Sequence, residues 1–231
     1  MRKRGEPPLA FVTEYVYTIN MTIKANSVNI KDLPENKAAY HHGDLRDALV
    51  RAGVAALDSG TGVEDLSLRA LARTVGVSAT AVYRHFPDKA ALLRALAEAG
   101  LDRMDELQRR AAQAAQPQGA LAAFAASGAG YVRFALAHPA LFRLMWTARP
   151  TTDLFAAPVE QNHPAMAGLR RGIAAILPRD ASPEVQRAAA LSCWALVHGL
   201  AMLALDRQIV LDDETIDLVV GGLIAAIERA R

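Results

Sequence analysis

The sequence predicts an all-α protein, with an N-terminal three-helix helix-turn-helix domain and a larger C-terminal helical domain. Three observations carry the prediction. After Tyr40 the apolar residues recur at helical spacing and strand signals are nearly absent. Gly, Pro, Ser and Asp punctuate these runs at the places where helices start and stop. Two short periodic runs, "LRALARTVG" and the one beginning "ATAVYRHF", are joined by a tight connection containing Gly76, which is the pattern of a helix-turn-helix. The expected division is 1–39 as an N-terminal extension, 40–90 as the helix-turn-helix domain and 91–231 as the C-terminal domain.

Each helix has a local reason. The first begins near Asp44, a fitting N-cap, with Asp47 favoured by the positive helix end; Leu45, Leu49, Ala52, Ala56 and Leu57 form its apolar stripe, and "DSGTG" ends it. Ser67 caps the second helix, whose Leu68, Leu71, Ala72 and Val75 face inward and which Gly76 ends. Ala72 is small where two helices should approach closely. Ser78 caps a third helix expected over 79–86, with Val82 and Phe86 on its core side and Pro87 stopping it. Asp88 caps a fourth, from Lys89 towards Arg110, before a break at "AAQAAQPQGA". Further helices are expected at about 120–137, through "ALFRLMW", and near 163–177. A long one of about 26 residues, on the order of 39 Å, begins at Pro183 after the cap Ser182, and a last one begins near Asp213. The stretch "TARPTTDLFAAPVEQNHP" reads as the longest irregular segment.

Composition narrows the function. A formal net charge of +2 argues against a protein that coats nucleic acid by bulk charge, but allows a small basic face on a balanced body. The single cysteine, Cys193, permits no intrachain disulfide and fits a cytoplasmic location; a buried inert thiol is its plain reading and a redox sensor the sharper one. The basic-then-apolar N-terminus is broken by Glu6, Pro7, Pro8 and Glu14 and lacks a convincing cleavage site, so it reads as an extension, with Met21 an alternative start. The uncharged run from Ala188 to Leu205 reaches the lower edge of a membrane span, reads better as a helix buried within or between copies, and is taken to be alone of its kind, so no membrane is expected.

The third helix explains its own residue order. Its small N-terminal residues would let the backbone press into the major groove of a duplex, with Ala79, Thr80, Tyr83 and Arg84 on the outer side. Thr80 suits a base edge or a thymine methyl, Tyr83 a phosphate, and Arg84 a phosphate or guanine. Lys89 adds charge, and Ser67 and Ser78 open helices whose free amides attract anions. A three-helix bundle with a solvated polar face has the same spacing.

"LSLRALARTVGVSATAVYRHFPDKAALL", with its Tyr-x-His-Phe-x-x-Lys core at Tyr83, His85, Phe86 and Lys89, resembles the N-terminal domain of the tetracycline-repressor (TetR) family of transcriptional regulators. "YHHGDLRDALVRAG" is similar to the start of one branch. "WALVHG", Trp194 to Gly199, and "HPALFRLMW" look like the C-terminal domain of the Trp-x-x-x-His-Gly branch. The resemblance spans most of 43–231. It implies a homodimer on palindromic double-stranded operator DNA, usually a repressor, released by a small-molecule inducer. By matching position it implies Thr80, Tyr83 and Lys89 as DNA contacts, with Ser67, Ser78, Ala79 and His85 near the duplex and Arg84 at a variable position.

In the C-terminal part, Ala188, Ala189, Ser192, Ala195 and Gly199, with Gly221 and Gly222, would let the last two helices meet their copies in a two-fold four-helix interface; burial within one core is the alternative. Phe124, Tyr131, Phe134, Phe142, Met145, Trp146, Trp194, His198 and Met202 are candidates to line a cavity for an apolar or aromatic inducer, though each also suits plain core. Trp194 and His198 share a helix face, and an internal hydrogen bond is the plainer role for His198. No phosphate loop, nucleophile elbow or zinc-protease motif occurs, and His41, His42 and Asp44 lack an evident third metal partner, so neither enzyme, metal nor cofactor is expected. A DNA-binding protein with a filled core and no effector is the runner-up, a helical enzyme the more distant one.

Overall fold

A computed structural model describes residues 45–148, 155 and 162–229, with backbone alone at 223–225 and 227–229. The extension 1–39, the cap Asp44, the pair His41 and His42, and most of the irregular stretch 147–164 lie outside the described residues. All elements among them are helical: α1 Leu45–Asp58, α2 Leu68–Val75, α3 Ala79–Tyr83, α4 Lys89–Ala115, a 3-10 turn Gln116–Gln118, α5 Ala120–Ala137, α6 Pro139–Thr147, α7 Pro164–Ile176, α8 Pro183–Leu205 and α9 Asp213–Arg229.

The chain divides into two compact units. One holds residues 45–106 with 133–168. Here α1, α2 and α3 pack on one another around Leu49, Val54, Leu57, Leu71, Val82 and Phe86, all at most 3% exposed, and α6 packs on α1. Ala72 is 2% exposed between α2 and α3, as its size requires. The turn between them depends on Gly76, whose φ of 76° is left-handed; its N–H and that of Val77 satisfy the last carbonyls of α2. The end of α1 is tied down as well. Asp58 Oδ1 lies 2.7 Å from Nδ1 of His138, just before α6, and its other oxygen lies 3.4 Å from Arg103 of α4.

The second unit holds 107–132 with 169–229. Its core includes Ala123, Ala125, Ala129, Tyr131 and Val132 of α5, Ile173 and Ile176 of α7, Ala190, Cys193, Val197 and Ala201 of α8, and Ile216 and Val220 of α9. A Cβ placed on Gly128 would stand 3.0 Å from Val220 Cγ1, so α5 and α9 approach closely there. Side-chain caps start these helices: Ser182, as expected, accepts from the Val185 N–H at α8, and Asp212 accepts from the Thr215 N–H at α9.

Four expectations need correction. The third helix ends at Tyr83 rather than Phe86, because the amides of His85 and Phe86 both turn to the Val82 carbonyl, and a residue before proline is pushed out of the helical region. The fourth runs to Ala115, beyond Arg110, because nothing in "AAQAA" breaks a helix before Pro117. The eighth has 23 residues, not 26; its last amides close at Asp206, and Arg207 takes a left-handed φ of 58°. The run in α8 is also not alone: α5, which carries a single charge, Arg133, is a second helix long and apolar enough to cross a membrane by length and composition.

Candidate functional site

The helix-turn-helix surface is set by two serine caps. Ser67, with extended backbone, accepts a hydrogen bond from the Ala70 N–H at 3.4 Å, and Ser78 accepts one from Ala81 at 3.2 Å. Both hydroxyls therefore serve their own helix starts; Ser78 is exposed and Ser67 half-buried. With Val82 fully buried and Phe86 2% exposed, α3 and the turn after it can show water only the other side. That side carries Ser78, Thr80, Tyr83, Arg84 and His85, with Tyr83 45% exposed; Ala79 and Ala81 are half-buried beside it. The outward and inward faces thus divide as the spacing predicts, apart from Ala79.

Lys89 opens α4 beside this surface. It is half-buried, and Nζ donates to the Glu64 carbonyl oxygen at 2.6 Å, tying the α1–α2 loop to the start of α4. Asp88 caps α4 through the Ala91 N–H at 2.7 Å. Two partners here were not legible in the sequence. One is the Glu64 carbonyl, a backbone group with no side-chain signal. The other is Arg46 of α1, whose guanidinium carbon stands 5.6 Å from the centre of the Phe86 ring.

The nine candidate lining residues fall into both units. Phe134, Phe142, Met145 and Trp146 belong with α1–α3, where Phe142 meets Trp146 edge-on at 6.2 Å. Phe124, Tyr131, Trp194, His198 and Met202 belong to the other. The structure joins three of these. The Trp194 indole N–H donates to the Tyr131 hydroxyl at 3.4 Å, and His198 Nδ1 lies 2.8 Å from that oxygen. Tyr131 is 4% exposed and burial pushes its phenol up; burial holds the His198 imidazole below its usual range. A neutral imidazole and a protonated phenol suit a hydrogen bond between them. Cys193, one residue from Trp194, is 5% exposed and burial pushes its thiol up to about 11, so it is chemically quiet near neutral pH.

Comparison with known proteins decides what kind of molecule carries these features. Residues 51–96 match the family described as bacterial regulatory proteins, tetR family, and residues 124–226 match the tetracyclin repressor-like C-terminal domain. The chain belongs to the TetR family. It is a TetR-type transcriptional regulator with a helix-turn-helix DNA-binding domain. No curated protein matches it. A protein of unknown function from Rhodococcus sp. RHA1 shares 35% identity over 84% of this chain and 98% of that one, with a TM-score of 0.64. TetR from Acinetobacter baumannii AYE shares the fold at 20% identity, over 80% of this chain and 97% of that one, TM-score 0.58. A variant of that regulator in complex with minocycline aligns with the same coverage at 22% identity, TM-score 0.57.

Proposed function

We propose that this TetR-family regulator reads palindromic operator DNA as a cytoplasmic homodimer and acts as a repressor released by a small apolar or aromatic inducer. One observation carries the DNA part: α3 buries Val82 and the following Phe86 while exposing Thr80, Tyr83, Arg84 and His85 in a row. A helix so divided suits a major groove, with Thr80 at base edges and Tyr83, Arg84 and Lys89 directed to phosphates; Ser67, Ser78 and Ala79 lie at the amide-rich helix starts beside them. Residues 40–90 then form the reading domain and 91–231 the sensor. The segment Trp194–Gly199 supports placing the sensor in the Trp-x-x-x-His-Gly branch.

Dimerisation through α8 and α9 is supported by a stripe along α8. Ala188, Leu191, Ser192, Ala195 and Leu203 recur at helical spacing and are all exposed in one chain, and a Cβ on Gly199 would meet open space. A stripe of this kind is what a second copy would cover. Two copies present two α3 helices to half-sites a helical turn or more apart, and an effector that prefers another spacing shifts the population off the operator. The 27-residue α4 contributes to both units, which suits it as the lever.

The likeness to a minocycline complex fits a small-molecule effector without naming it. A second reading has one observation in its favour. Tyr131, Trp194 and His198 satisfy one another, as in a filled core with no effector.

Genomic duplex fragments selected by the protein, then titrated over a range of salt, test the DNA reading. The regulator should show a steep salt dependence and a large preference over random sequence. Tyr83→Phe and Lys89→Ala should weaken binding on all duplexes, and Thr80→Ala should also relax the preference by about 1–3 kcal/mol at one base position. Equal affinity in all three variants and the unaltered protein would remove α3 as the reading element.

A further inference from the structure

Asp58 is the last residue of α1, where a carboxylate faces the negative end of its own helix, and the last turn holds no basic residue to offset it. The carbonyls of that turn are served by the amides of Ser59, Gly60 and Thr61. The Asp58 side chain reaches outside its helix instead. Its Oδ1 lies 2.7 Å from His138 Nδ1, and its Oδ2 accepts from Arg103 Nη1 at 3.4 Å. His138 sits at the start of α6 and makes no side-chain cap there; its ring leans on the buried Phe134, centroids 4.9 Å apart. Two residues at helix ends thus serve each other rather than their own helices.

Their place in the chain gives the cluster a meaning. Among the described residues the chain passes between the two units at 106–107, 132–133 and 168–169. Arg103 stands just before the first passage and His138 shortly after the second. Before the third stands His163, whose Nδ1 accepts from the Ala165 amide and whose Nε2 lies 3.4 Å from Asp102, the neighbour of Arg103 on α4. Each passage is therefore tied to α4 or to the end of α1, and α1 packs on α2 and α3. Apolar packing brings these helices close: a Cβ on Gly53 would stand 2.8 Å from Leu96, and one on Gly100 2.8 Å from Met145. Apolar attraction has no direction, whereas the bonds at Asp58 fix an angle.

We infer that Asp58 is a positioning residue for operator reading: through Arg103 and His138 it holds α1, and α3 with it, in one orientation on α4 and α6, and so fixes the half-site spacing that the dimer accepts. The inference rests on the α3 reading and the homodimer proposed above. Asp58 acts through its two partners and not by touching DNA. A local anchor for the end of α1 is the alternative role, and the two differ in sign. On charge grounds alone, removing a carboxylate leaves binding equal or tighter on every duplex. Loss of positioning weakens binding on the correctly spaced duplex alone.

The test is a fluorescence-anisotropy titration of three duplexes: a selected genomic fragment, the same fragment with one base pair inserted between its half-sites, and a random sequence. The proteins, each full-length, are the unaltered chain, Asp58→Ala, His138→Gln, the double variant, and Asp47→Ala as a matched loss of charge elsewhere on α1. Asp58→Ala and His138→Gln should each bind the selected fragment about tenfold more weakly and the random duplex no more weakly, so the preference for the native spacing over the inserted one narrows by the same factor. The double variant should be no worse than the weaker single one, because both remove the same contact. Asp47→Ala should keep the preference. An unchanged spacing preference in Asp58→Ala, an equal loss on all three duplexes, an additive double variant, or the same narrowing in Asp47→Ala overturns the assignment. If one of Asp58→Ala and His138→Gln fails to fold by far-ultraviolet circular dichroism, the other decides; if neither folds, the cluster serves stability and the inference falls. An unaltered chain that prefers the selected fragment but ignores the insertion overturns this inference and leaves the α3 reading standing. One with no preference over random sequence sinks both.

Discussion

At Tyr131, a single phenol oxygen gathers two groups from α8, the indole of Trp194 and the imidazole of His198. Burial favours the uncharged imidazole, so the folded-state pKa of His198 lies below its ordinary 6.5. The unfolded chain then binds the proton first as the solution is acidified. The contribution of His198 to stability is complete above about pH 6.5 and is lost as pH falls through its lowered value. Denaturant melts of the unaltered protein and of His198→Gln between pH 7 and 5 check this: the unaltered protein should lose more stability on acidification than the variant. A parallel pair of curves contradicts the assignment. The spacing of Trp194 and His198 on one helix face was legible in the sequence. Their common partner on α5, more than sixty positions away, was not, because hydrogen-bond partners across a core are chosen by packing and leave no local pattern.

Among the elements, the turn from α2 to α3 shows how much a short sequence can specify. Gly76 supplies a left-handed φ of 76°, and Ser78 caps a helix of five residues. Gly76→Ala puts a side chain into a conformation that L residues rarely adopt and should cost about 1 kcal/mol; Ser78→Ala removes the acceptor for the Ala81 amide and should cost about as much. Both are read as shifts of the denaturation midpoint with an unchanged m-value. A Gly76→Ala protein as stable as the parent would deny the turn its strained position. Helix starts are legible at α2, α4 and α8 because the caps Ser67, Asp88 and Ser182 act within a few residues of chain. The ends of α3, α4 and α8 were misjudged. There the boundary is decided by competition between helical hydrogen bonds and the geometry of the following turn, which residue types constrain only loosely.

For the whole molecule, the open question is how the exposed stripe of α8 is covered. Under the proposed homodimer, Leu203, 45% exposed in one chain, lies in a dry contact. Leu203→Glu should then shift the protein to monomer in sedimentation equilibrium, and operator affinity should fall about a hundredfold or more, since one half-site supplies only part of the contacts. A Leu203→Glu protein that stays dimeric with full operator affinity would place the interface elsewhere. The same sedimentation profiles distinguish a monomer from an aggregate.

The sequence by itself determined the all-helical class, the positions of most helix starts, and the division of α3 and the turn after it into a buried pair and an exposed row. Those features follow from period, capping and steric rules that operate over one or two turns. It also carried, through the segment around Tyr83 to Lys89, the likeness that the family comparison then established. Only the tertiary structure decided that Lys89 spends a hydrogen bond on Glu64, that Arg46 lies on Phe86, and that Asp58 meets both His138 and Arg103. These pairings join residues 25 to 80 positions apart. They come from how whole helices stack, and the energy that selects the stacking is spread over the buried core, not written at either partner.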